Sequence, residues 1–156
     1  MPSGKADRIV NIRAARPAEL TKLSLLCLRS KAIWGYSPEF IAACRAELTL
    51  GPGDLATTRV AERRGHRVGV VQVTTEDTAA TLDKLFVEPH EIGTGVGRLL
   101  YAEAVKMARA AGASELVVAA DPGAAGFFTR MGARPEGEAP SGCIPDLVLP
   151  RFATTL

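Results

Sequence analysis

Val87-Glu88-Pro89-His90-Glu91-Ile92-Gly93-Thr94-Gly95-Val96-Gly97-Arg98-Leu99-Leu100 sets three glycines at alternate positions between a strand-like run and a helical one. Glycine reaches backbone angles that other residues resist, and it leaves no side chain between a ligand and the main chain. The N–H groups of a first helical turn have no partner inside the helix and lie at the positive end of its dipole, so a bound anion satisfies both. The stretch predicts an anion site where a helix begins. An ordinary tight turn into a helix would use glycine too, so the surroundings decide between the two readings.

Upstream, Leu55–Glu62 and Arg67–Thr75 are strand-like runs around the turn residues Arg63, Arg64, Gly65 and His66, and Ala79–Val87 follows the acidic turn Glu76-Asp77-Thr78. The three predict an antiparallel meander ended by Pro89. Downstream, Gly95–Ala111 carries Val96, Leu100, Ala104, Met107 and Ala111 at helical spacing, with Gly112 placed to cap the end. Ser114–Ala120 is a short apolar strand, which makes strand, helix, strand a parallel crossover.

A further helix, Pro122–Met131, stops at Gly132, and Ala133–Glu138 and Asp146–Leu149 read as strands on either side of the loop Ala139–Pro145. Before the meander lie a strand at Arg8–Ala14 and a helix at Pro17–Ile33 with Leu20, Leu23, Cys27 and Trp34 in line. A second helix, Pro38–Leu48, opens after the N-cap Ser37, and Leu50–Asp54 is a loop. The predicted order is β-α-α-β-β-β-α-β-α-β-β. No repeat, low-complexity tract or linker divides residues 1–156, so one domain is expected.

Dinucleotide-binding folds place their glycine turn after the first strand, with an acidic residue some way on, and P-loops follow theirs with Gly-Lys-Ser/Thr. Here the turn follows three antiparallel strands and lacks that lysine. It resembles motif A of the GNAT superfamily of acyl-CoA-dependent N-acyltransferases, R/Q-x-x-G-x-G/A after a strand ending Val-x-Pro. Gly95 and Gly97 match the motif glycines, Val87, Pro89, Leu99 and Leu100 match the flanks, and Ile92 stands where Arg or Gln is usual. A second family element, N-A-x-x-F-Y-x-x-x-G-F/A, resembles Gly123-Ala124-Ala125-Gly126-Phe127-Phe128-Thr129-Arg130-Met131-Gly132-Ala133.

The resemblance covers nearly the whole chain. It implies an α+β fold with a mostly antiparallel mixed sheet and helices on both faces, splayed between Ala79–Val87 and Ser114–Ala120. Acetyl-CoA is the cofactor it implies. The pyrophosphate would lie on Ile92, Gly93, Thr94, Gly95, Val96, Gly97 and Arg98, and the pantetheine arm against Leu85, Phe86 and Val87. Phe127, Phe128 and Arg130 would flank it, with Lys106 a further cation within reach.

Acyl transfer to an amine needs a proton acceptor, stabilisation of an oxyanion and a thiolate able to leave. The resemblance assigns the oxyanion to a backbone N–H within Leu85–Val87 and the leaving-group acid to a tyrosine, where this chain has Phe128. Tyr36, in Lys31-Ala32-Ile33-Trp34-Gly35-Tyr36, is the candidate substitute acid or a substrate contact. Asp83 and Glu39 are the candidate bases, and even strand spacing predicts that Asp83, Leu85 and Val87 point together. Trp34, Ser141 and Cys143 are candidate acceptor contacts. Cys143 has no histidine or cation in the sequence pattern to activate it as a nucleophile.

Composition sets the remaining bounds. A net charge of +2 with dispersed basic residues argues against nucleic acid, and a nucleic-acid-directed acyltransferase would betray itself by salt-sensitive tRNA binding. Three cysteines without C-x-x-C spacing and two histidines predict no metal site, buried Cys27 and Cys44, and a reducing, cytoplasmic setting. The polar Met1–Asp7 lacks the apolar run of a signal peptide, and nothing approaches a membrane span. The function expected is acetyl transfer from acetyl-CoA to a primary amine of a small-molecule or protein acceptor, with homodimerisation left open. The rival is a catalytically silent acyl-CoA-binding regulatory module, favoured by Phe128 and Ile92.

Overall fold

The computed structural model describes residues 9–156, so the expectations for Arg8 and for Met1–Asp7 lie outside the described residues. In chain order the elements are β1 (Asn11–Ala14), α1 (Leu20–Ala32), α2 (Pro38–Leu48), β2 (Thr58–Arg63), β3 (His66–Glu76) and β4 (Ala79–Val87). They continue with α3 (Val96–Ala110), β5 (Glu115–Ala119), α4 (Ala125–Arg130), β6 (Arg134–Pro140) and β7 (Val148–Thr155). This is the order the sequence predicts.

Four boundaries differ most. Residues 55–57 are not strand but the end of a 3-10 turn, Pro52–Thr57, in which the Asp54 carboxylate accepts the Gly51 N–H at 2.8 Å and the Thr58 hydroxyl donates to the Asp54 carbonyl at 2.7 Å. Pro17–Glu19 and Pro122–Ala124 are likewise 3-10 turns leading into α1 and α4, because proline suits the first turn but leaves the helix to start behind it. The last strand is not Asp146–Leu149 but Val148–Thr155. It runs on because Phe152 and Ala153 enter the core and residues 151–155 pair along β5.

The strands form one sheet in the order β1-β2-β3-β4-β5-β7-β6, antiparallel throughout except for β4 and β5. On one face α1 and α2 bury Leu23, Leu26, Cys27, Cys44 and Leu48 against Val60 and Val70. On the other, α3 and α4 bury Val96, Leu100, Ala104 and Phe128 against Val71, Val73, Leu116 and Phe152. Cys27 and Cys44 are fully buried, as their helical faces predict, and all three cysteines are free. Among the described residues no helix is long and apolar enough to cross a membrane.

One irregularity in the sheet sets where the side chains of β4 point. Val73 lies opposite Leu82 and Gln72 opposite Lys84, so Asp83 is an extra residue in β4, a β-bulge. Even spacing had Asp83, Leu85 and Val87 pointing together, and the bulge breaks that parity. Leu82, Leu85 and Val87 pack with the α3 side. Lys84 sits opposite Gln72 and donates to its side-chain oxygen at 3.0 Å, while Asp83 accepts the Thr74 hydroxyl at 2.6 Å. Val70, Gln72 and Thr74 are two residues apart and share a face, so this second pair of side chains belongs to the α1 face, where Val70 packs.

Candidate active site

β4 and β5 pair only from Ala79 to Thr81, opposite Glu115 to Val117, and then part. The bulge at Asp83 lies just past the last paired residue. Beyond it the two strands wall a cleft of about 500 Å³, with Leu82, Asp83, Leu85, Phe86 and Val87 on one side and Val118, Ala119, Ala120 and Asp121 on the other. Glu88 donates its N–H to Val68 at 2.8 Å, so its neighbours alternate along the ladder. Phe86 turns toward β3, and Leu85 and Val87 turn their N–H and C=O into the opening. Val87 gives its N–H to the Ser30 hydroxyl at 3.3 Å.

At the carboxyl end of β4 the chain enters the glycine turn. Gly93 and Gly95 have φ of 85° and 95°, the left-handed region that only glycine enters at little cost, and Gly95 is the N-cap of α3 with no side-chain cap. The N–H groups of Val96, Gly97 and Arg98 therefore open onto the same space without helical partners. Gly97 packs under Phe127, whose ring would lie 3.2 Å from a Cβ there. Ile92, Gly93, Gly95, Gly97, Arg98, Phe127, Phe128 and Arg130 all line the cleft. Thr94 and Val96 do not line it: the Thr94 hydroxyl donates to the Glu91 carbonyl at 2.6 Å, and the Val96 side chain is fully buried.

The α1 side of the cleft is made by Ser30, Ile33 and Trp34. The Trp34 ring is pressed onto the backbone of Gly123, where a Cβ would fall 2.4 Å from it, so no other residue fits at 123 without moving the indole. Behind it, Asp121 Oδ1 accepts from Lys31 Nζ at 2.7 Å and from the Tyr36 hydroxyl at 2.8 Å. Tyr36 stacks on Phe40 with ring centroids 4.1 Å apart, and burial, then the Asp121 contact, raises its phenol above the usual range. Burial also raises the Asp83 carboxyl, against the Thr74 hydrogen bond that lowers it.

Of the three residues singled out for proton transfer, only Asp83 lines the cleft. Tyr36 is held behind the wall, and Glu39 is exposed in the first turn of α2. Trp34 lines the cleft, whereas Ser141 and Cys143 do not. Ser141 accepts the N–H groups of Cys143 and Ile144 at 3.1 and 3.2 Å, which shapes its own loop. Cys143 donates to the Glu47 carboxylate, and burial raises its thiol well above the usual value, as do the neighbouring Cys44 and Glu47. No cluster of metal-ligating side chains occurs among the described residues.

A model of the acetyltransferase (GNAT) domain matches residues 39–139. The chain belongs to this family. Solved structures share its fold. A GCN5-related N-acetyltransferase from Rhodopseudomonas palustris is 24% identical with a TM-score of 0.79, over 94% of this chain and 95% of that one. The PaiA N-acetyltransferase from Thermoplasma acidophilum, in complex with coenzyme A, is 16% identical with a TM-score of 0.78, over 95% and 99%. A GNAT family acetyltransferase from Brucella melitensis, in complex with acetyl-CoA, is 23% identical with a TM-score of 0.62, over 91% and 96%. No curated protein matches the chain.

In this GNAT domain, sequence reasoning passed over Ser30, Ile33, Leu82, Asp121 and Gly123, all of which line the cleft. Asp121 left one usable signal. It follows the carboxyl end of a parallel strand, where ligand crevices form in α/β sheets, and it precedes Pro122. Ser30 and Ile33 left none, because they look like any other residues late in an amphipathic helix.

Proposed function

We propose that this GNAT domain moves an acetyl group from acetyl-CoA to a primary amine by direct attack in a ternary complex. The observation that carries the reading is one continuous cleft. It joins helix N–H groups without partners, the inward-turned backbone of Leu85 and Val87, and a carboxylate at Asp83.

The residues present fit coenzyme A. A diphosphate meets the N–H groups of Gly95, Val96, Gly97 and Arg98 and needs no side chain from Ile92. An extended arm bearing amides finds main-chain partners at Leu85 and Val87, with Phe86 behind them and Phe127 and Phe128 closing the far wall. Arg98 and Arg130 are the cations within the cleft. When bound, acetyl-CoA supplies an activated acetyl group as a thioester.

The protein's own residues then have three tasks. The Leu85 N–H is an oxyanion donor that residue type does not affect. Asp83 accepts the proton that the amine releases as its nitrogen joins the acyl carbon, and its raised pKa narrows the gap to that ammonium. Tyr36, fixed on Asp121, and Glu39 do not line the cleft and are given no direct part. Phe128 offers no proton, so the thiolate leaves unassisted, which a thiol pKa of about 8.5 permits.

The test combines two measurements on the full chain. Coenzyme A should raise the melting temperature, and Gly95→Val with Gly97→Val should abolish that rise. Acetyl-CoA with a panel of primary amines should release thiol in proportion to amine. No stabilisation by coenzyme A overturns the proposal, and stabilisation with no amine-dependent thiol release leaves the silent binding module.

A further inference from the structure

The α1 wall of the cleft holds two large apolar side chains that are well exposed, Ile33 at 39% and Trp34 at 41%. The Gly123 backbone braces the indole from behind, so its exposed surface is held rather than free to fold inward. An aromatic surface of that kind favours an apolar partner stacked on it, and its face also attracts a cation.

The charges around the cleft are unequal in what they leave over. Three carboxylates line it, Asp83, Glu91 and Asp121. Asp121 is neutralised by Lys31 at 2.7 Å, and Glu91 by Arg63 at 3.3 Å. Asp83 has a neutral partner, the Thr74 hydroxyl, and no ion pair among the described residues, because the adjacent Lys84 gives its ammonium to Gln72. The bulge turns it to the α1 face, the side of Ile33 and Trp34. The only cations lining the cleft among the described residues are Arg98 and Arg130, on α3 and α4 across the sheet.

We infer that the acceptor is a primary amine on an apolar body of aromatic size that carries no carboxylate, with its ring against Trp34 and Ile33 and its ammonium on Asp83. The inference rests on the transfer reading above and deepens it. An amino acid brings a carboxylate, and no cation lines the cleft on the α1 side: Lys31 is paired with Asp121, and Lys84 is buried with its ammonium on Gln72. A polyamine brings two or more ammonium groups, and one unpaired carboxylate answers only the first. An arylalkylamine matches the wall charge for charge and surface for surface.

Trp34 is the single tryptophan of the chain, so its emission reports on this wall directly, with or without cofactor. 2-Phenylethylamine titrated into the full chain is expected to change that emission saturably, with glutamate and spermidine at least about tenfold weaker, the margin expected for one charge-assisted hydrogen bond. Asp83→Asn should weaken 2-phenylethylamine by about tenfold and leave neutral 2-phenylethanol as it was. Tighter binding of glutamate or spermidine overturns the inference, as does an Asp83→Asn variant that weakens amine and alcohol alike. Because this readout needs no coenzyme A, it can fail while stabilisation by coenzyme A succeeds, and the reverse.

Discussion

Lys31 Nζ meets Asp121 Oδ1 at 2.7 Å across 90 residues of sequence, with both side chains nearly out of water. The same oxygen accepts the Tyr36 hydroxyl, so one carboxylate ties the end of α1, the turn after it and the end of β5. Removing one partner of such a pair strands the other charge in a poor solvent. Asp121→Ala is therefore expected to lower stability by about 3 kcal/mol in denaturant unfolding. Lys31→Met combined with Asp121→Leu should recover most of it, since the pair is then replaced by apolar volume. A single-variant loss below about 1 kcal/mol would mark the pair as no better than a surface one.

Glu19 is the anionic centre of a second network. It accepts from Arg13 at 2.7 and 2.9 Å, from the Arg16 N–H at 2.8 Å and from Arg67 at 3.4 Å. The Arg13 hydrogen bonds, helped by the Arg16 N–H and opposed by burial, lower its pKa from the usual 4.5 to about 2. A depressed carboxylate contributes stability that is complete above its unfolded value and disappears as pH falls through the folded one. The melting temperature should drop between pH 4.5 and about 2, and Glu19→Gln should flatten that drop while lowering the plateau at neutral pH. An unchanged acid limb in the variant would remove Glu19 from the account.

Legibility from sequence followed locality. The glycine turn, its flanking strand and helix, and the Phe127-Phe128 segment are contiguous, and each carries its own punctuation in Gly95, Pro89 and Gly132. The bulge at Asp83 is set by pairing with β3, and nothing between Ala79 and Val87 announces it, so the parity of half the strand was lost with it. The Lys31–Asp121 pair needs the sheet to exist before its partners are neighbours. The predicted last strand, Asp146–Leu149, stops just short of Pro150. Within the sheet Pro150 instead accepts the Ala120 N–H at 2.9 Å through its carbonyl, and the strand continues.

Asp83 acts on rate, where Glu19 acts on stability. Burial raises its pKa from the usual 3.8, so the ionised form that accepts a proton is lost at a higher pH than for an ordinary aspartate. As pH falls, kcat should decline through that raised value. Asp83→Asn is expected to lower kcat by about 100-fold and to erase this limb, with stabilisation by coenzyme A unchanged. A variant that keeps the limb would assign it to another group.

Phe128 stands where the family resemblance implies a tyrosine acid, and it lines the cleft from α4 with its ring 6.0 Å from Tyr101 and 6.1 Å from Phe152. Phe128→Tyr adds a hydroxyl at the ring position farthest from the backbone, and an acid beside a leaving thiolate is worth most when the thiolate is a poor leaving group. Turnover of Phe128→Tyr should exceed that of the native chain by about tenfold at pH 7, and the advantage should shrink as pH rises to about 10, where the phenol itself loses the proton it would donate. Single-turnover thiol release at the two pH values separates this from a packing effect, which would scale both rates alike. Equal rates at pH 7 would mean that departure of the thiolate does not limit turnover, and that the step governed by Asp83 does.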